Sequence, residues 1–250
     1  MKYFVIFLFF SFSITINGQI LNAESLRKVT DTSGFSGAAD INFSLKRNVN
    51  KYLSVSSGIH IQYKMNKHLV LIKNDFEFKS IEGNKFENAG ISHLRYNYKF
   101  HPRIAFEIFT QAQFNKVSKI NFRGLVGMGP RFKLTTSENY KFYLGTHIMY
   151  EQEELSDGFT PIQRGFRSTS YLSFSLYPTE TLSLISTTYY QPSLKDFGDY
   201  RLSNQSSLLI DVFKNFAFKT SYTFIYDATP AKNIPNSQYN LSSGVVYTFD

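Results

Sequence analysis

The last stretch of the chain constrains its fold most. From Tyr239 to Phe249 the odd positions read Tyr239, Leu241, Ser243, Val245, Tyr247 and Phe249. The even positions read Asn240, Ser242, Gly244, Val246 and Thr248. Alternation of period two marks a strand with one apolar and one polar face. It runs to within one residue of the C-terminal Asp250, so the final strand closes on an aromatic. Strands of outer-membrane barrels end in this way, with an aromatic at the membrane interface.

The N-terminus points to export. Lys2 supplies a positive charge, Tyr3 to Ile16 is an apolar run broken only by Ser and Thr, and Asn17-Gly18 leads to Gln19. The run is shorter than the roughly 20 residues of a membrane span and fits the core of a signal peptide. Residues 1–18 are therefore expected to be removed as a signal peptide, with an uncleaved anchor as the alternative. Residues 19–34 read as a polar periplasmic leader, and 35–250 as one barrel domain with no internal boundary.

After Gln19 no apolar stretch is long enough for a membrane helix. A mature chain held in a membrane must then be a closed barrel, since only helices and barrels satisfy every backbone group in lipid. Cysteine is absent, so no disulfide stabilises the exported chain. Aromatics make up 17% of residues, all Tyr and Phe, as suits aromatic belts at two interfaces. The formal charge of +8 is spread over turns and strands without a basic block. It suits proximity to anionic lipid rather than nucleic-acid binding.

The mature chain reads as about twelve strands of an up-and-down antiparallel all-β transmembrane barrel. The expected spans are 35–46, 52–64, 68–80, 87–99, 103–116, 119–134, 139–154, 166–177, 181–194, 200–213, 215–228 and 237–249. The strands exceed the usual length in globular sheets and suffice to cross a bilayer when tilted. Tight connections at 65–67, 100–102, 178–180 and 214–215 should face the periplasm. Longer ones at 81–88, 155–162, 195–199 and 228–236 should face outward, while Arg47 to Asn50 is short and breaks the pattern.

The polar parity of these strands carries Asp40, Lys73, Asp75, Glu77, His93, Arg95, Lys99, Glu107, Arg123, Arg131, Glu151, Glu153, Asp211 and Lys219. A lipid-facing charge at mid-membrane costs roughly 2–4 kcal/mol, so this face should line the lumen. Similar numbers of both signs suit a network that braces a narrow bore; the functional reading of the same residues is a polar pore. By parity His60, His93 and His147 also point inward, and His68 and His101 lie at turns. No GxSxG or HExxH motif occurs. Asp75/Glu77 and Glu151/Glu153 share a face as i, i+2 pairs and read better as lumen salt bridges than as cation ligands. No catalytic, cofactor-binding or metal-binding residue and no cofactor is assigned. In the glycine-rich run from Arg123 to Arg131, the missing helix and lysine exclude a phosphate loop. Its glycines imply close approach of another segment, and Pro130 implies a bulge.

Arg123, Gly127, Gly129 and Phe132, with Leu94-Arg95-Tyr96-Asn97-Tyr98 before them and Tyr143-Leu144-Gly145 and Tyr150-Glu151 after, resemble the motifs of the salt-stress-induced outer-membrane protein family. The Gln19-Ile20 start is similar to members from Bacteroidetes-type Gram-negative bacteria. Phe35 stands where many members carry Trp. The resemblance implies an outer-membrane barrel and a domain of unknown function, with no activity to carry over.

Three functions follow for testing. The first is an integral outer-membrane barrel acting as a narrow channel or as an envelope component under osmotic stress. The second is a barrel enzyme acting on lipids. The third is a soluble exported barrel with an apolar cavity, in which parity would be inverted. In the first, the partners are outer-membrane lipid and the assembly machinery that inserts the barrel. Phe249 should matter more to insertion than Asp250.

Overall fold

The computed structural model describes residues 33–47, 51–81, 85–137 and 139–249. The expected signal peptide, nearly all of the leader and Asp250 lie outside these residues.

Twelve strands follow one another: β1 (Gly34–Arg47), β2 (Lys51–Met65), β3 (His68–Ile81), β4 (Lys85–His101), β5 (Ile104–Asn115) and β6 (Ile120–Lys133), then β7 (Tyr140–Leu155), β8 (Gln163–Thr179), β9 (Leu182–Pro192), β10 (Tyr200–Phe213), β11 (Phe216–Asp227) and β12 (Ser237–Phe249). Each pairs antiparallel with its neighbours in sequence, and β1 pairs with β12 to close an all-β barrel. Both ends of the strand array lie at the rim with the tight turns. There Asn66 and Asn215 take left-handed φ of 52° and 69°, which Asn tolerates better than most residues. At the opposite rim lie the connections 156–162, 193–199 and 228–236.

Parity sorts the side chains. On β3 and β4, Phe76 and Leu94 are about half exposed on the outside, while Lys73 and Arg95 are 3% and 4% exposed inside. Apolar residues face out and charges face in, which rules out the soluble barrel with an apolar cavity. Aromatic contacts gather near both rims. Phe35–Tyr63, Phe142–Phe174 and Phe216–Tyr247 mark the turn rim; Tyr150–Phe166, Tyr190–Tyr200 and Tyr200–Tyr226 mark the loop rim. Tyr140 and Tyr150 on β7 span ten residues between these belts. At a rise of about 3.4 Å per residue and a tilt of about 40°, that is about 26 Å, the height of a bilayer's apolar band.

Three expectations need correction. The connection at 81–88 is shorter than its composition suggests, because Lys85–Asn88 continue β4 and pair with Phe78–Ile81. Pro130 causes no bulge: it sits opposite Phe106, and the β6–β7 pairing resumes in the same register after a gap between Met128 and Arg131. A gap forfeits local pairing, whereas a bulge would shift the strand's register relative to its neighbour. The bulges present fall near strand ends, at Lys99/His101, Gln113/Asn115, Ile120/Phe122, Leu176/Thr179 and Asp211/Phe213. Lys99 and Asp211, expected in the lumen, are exposed at the turn rim.

The closing seam is incomplete. β1 and β12 pair from Gly37–Phe249 to Asn42–Gly244, whereas β1 and β2 pair from Gly34–Lys64 to Arg47–Lys51.

Candidate functional site

The lumen is the only large polar environment formed by the described residues, and it is built by parity on every wall. Glu107 on β5 points into it and is fully buried. Tyr171 Oη donates to its Oε2 at 2.8 Å, and His147 Nε2 lies 3.1 Å from the same oxygen. The guanidinium groups of Arg95 and Arg131 stand 3.7 and 3.8 Å from Oε1. Arg131 also lies over the ring of Tyr143 at 3.8 Å, a cation–π contact.

An arc of rings surrounds this carboxylate. His93 stacks on Phe109, Phe109 meets His147 edge-on, His147 stacks on Tyr171, and Tyr171 contacts Tyr189. Gly145 makes the arc possible: a Cβ there would lie 2.2 Å from Tyr171 Cε1. The close approach anticipated for the glycines of the Arg123–Arg131 run is found at Gly127, where a Cβ would lie 2.5 Å from Phe109 Cζ.

Toward the loop rim the charges interlock. Arg201 donates to Glu151 at 2.7 Å, to Glu153 at 3.0 Å and to Asp227 at 2.9 Å. Arg167 bridges Glu151 and Asp199 at 3.0 and 2.7 Å, and Arg123 is held closely by Glu153. Buried ions persist only with such partners. The Glu151/Glu153 pair is thus a salt-bridge acceptor, as expected, but two of its arginines were not anticipated. Arg167 and Arg201 sit at the ends of their strands, where flanking Ser, Thr and Gly blur the alternation. Their inward parity, shared with Thr169 and Ser203, was the available signal.

On the wall formed by β1–β3 and β11, smaller pairs recur. Lys73 meets Asp75 at 3.0 Å, Lys79 meets Glu77 at 3.0 Å, and Lys219 meets Asp40 at 3.4 Å. Asn42 donates to Asp40, and Ser54 to Glu77.

The loop rim is strapped. Residues 228–236 reach across it, and Lys119 Nζ in the β5–β6 connection donates to the Lys232 carbonyl at 2.8 Å. Ser118 Oγ donates to Gln238 Oε1 at 3.4 Å, and Thr229 Oγ1 to Asp199 Oδ1 at 2.8 Å. In a ring of twelve strands, the β5–β6 and β11–β12 connections lie on opposite sides, so the Lys119 and Ser118 contacts span the opening, whereas Thr229–Asp199 joins neighbouring connections.

His60, His93 and His147 lie inside as expected, and His68 and His101 are exposed at turns. His93 meets Gln111 and Arg95, and His147 meets Glu107. Among the described residues no group of three or more His, Cys, Asp or Glu side chains is placed to hold a metal ion.

With this geometry in hand, the family is decided by one match: the profile of the protein family of unknown function DUF481 covers residues 21–249. The chain belongs to this family. The match brings no salt-stress role with it. No curated protein matches the chain. Among solved structures, the NanC porin is similar at a TM-score of 0.54 and 9% identity, covering 87% of this chain and all of that one. The KdgM porin follows at 0.46 and 12%, covering 86% and 99%. The translocator domain of the autotransporter NalP from Neisseria meningitidis gives 0.47 and 11%, covering 87% and 88%. At such low identity the likeness to the NanC porin is one of fold.

Proposed function

We propose that the chain is an integral outer-membrane barrel whose lumen serves as a narrow polar channel, with its loop rim facing outward, in an envelope responding to osmotic stress. Its partners are the surrounding lipid and, during insertion, the assembly machinery that reads the final strand.

One observation carries this reading. The ring is apolar outside, while its interior holds buried Arg, Lys, Asp and Glu at successive heights. Buried ion pairs are a weak source of stability, and apolar side chains of equal volume would brace a ring as well. A charged, hydrogen-bonding interior is what the passage of water and ions requires. A lipid-modifying enzyme would need a nucleophile beside a histidine on the lipid side. His68, at the turn rim, instead meets the Tyr96 hydroxyl at 2.6 Å.

Conductance of the refolded full chain in planar bilayers tests the proposal, with selectivity read from a salt gradient. Discrete current steps are expected. Silence from a folded, heat-modifiable barrel would overturn the channel and leave a structural role.

A further inference from the structure

Side chains around the lumen are unevenly distributed by size. From β4 to β9 the mid-height positions hold the rings and guanidinium groups already described. On β10–β12 and β1–β3 the corresponding positions are mostly small, such as Ser56, Ser221, Thr223 and Ser242. The cavity against this half measures about 90 Å³, compared with about 40 Å³ against the aromatic arc. At roughly 10–15 Å³ of accessible space per water, it takes a short file of waters with a small ion, and no sugar ring.

Gly58 lies within this half. Register places it between Asp40 on β1 and Asp75 on β3. A Cβ on Gly58 would stand 2.6 Å from Asp40 Oδ1 and 2.9 Å from Asp75 Oδ1. The absent side chain is thus a notch onto which two carboxylate oxygens converge. Lys73 engages the other oxygen of Asp75, while Lys219 lies 3.4 Å from the notch oxygen of Asp40 itself.

We propose that ions cross the barrel along this small-residue half alone and pass over the Gly58 notch. The proposal rests on the channel reading above and gives it a route. Three carboxylates line this cavity, those of Asp40, Asp75 and Glu77, and Lys219, Lys73 and Lys79 pair with them one for one, so the route carries both signs of charge along its length.

The chain contains no cysteine, so single substitutions give unique labels. Thr223→Cys and Ser242→Cys lie in the route; Ser173→Cys lies on the opposite arc and is buried. A cationic methanethiosulfonate reagent added during bilayer recording should remove current through the first two variants and leave the third unchanged. Block at Ser173→Cys alone would place the passage elsewhere and overturn the route while the channel stands. A silent wild-type barrel would remove the channel itself, before any cysteine is introduced. Gly58→Ala should conduct less than wild type; equal conductance from the folded variant would overturn passage over the notch.

Discussion

Glu107 shows how single residues hold this lumen. It is a fully buried carboxylate facing the lumen, bonded to Tyr171, beside His147, and within 4 Å of two guanidinium groups. Glu107→Gln preserves shape and volume but turns a neutral amide toward Arg95 and Arg131. Losing one partner of a buried ion pair costs roughly 3–5 kcal/mol. Denaturant unfolding of the refolded barrel should show destabilisation of that order. An unchanged midpoint would mean that hydrogen bonding, and not charge, holds the centre. Parity revealed Glu107, Arg95 and Arg131 as inward-facing in the sequence. The Tyr171 bond was not legible, because it joins β5 to β8 across the bore, and parity says nothing of height or reach. The same holds for Arg201, whose partners Glu151 and Glu153 lie three strands away.

Among the elements, the strands were the most legible. Spans 200–213 and 237–249 coincide with β10 and β12, because a half-buried strand repeats its apolar residues every second position. Errors arose where local chemistry imitates a turn. Lys85, Glu87 and Asn88 look like loop residues, yet their backbone continues the β3–β4 ladder. A proline on β6 suggested a bulge, but the barrel absorbed it as a gap in one ladder. The connection 228–236 was recognisable as a loop from Pro230 and Pro235, but its path was not. Its reach to Lys119 depends on ring closure, which brings distant segments to opposite sides of one rim. If this strap obstructs the passage, removing residues 229–234 should raise single-channel conductance without altering the heat-modifiable fold. Equal conductance would place the obstruction deeper.

At the scale of the whole molecule, two aromatic belts about 26 Å apart and a charged interior make a ring suited to apolar surroundings. Its stability around the circumference is not uniform. Beyond the Asn42–Gly244 rung, Ser237–Ser243 of β12 pair with β11 and have no registered partner on β1. Amide exchange read by mass spectrometry should therefore be faster across Ser237–Ser243 than across Val245–Phe249. Uniform protection along β12 would show the seam to be shut in solution. The seam behaves like a zipper fastened at the end where the chain terminates and left undone at the other. Below, at the fastened end, the Phe249 ring lies over Gly37, where a Cβ would come within 2.6 Å of it. A tear in this hoop would start at the loop rim and travel down.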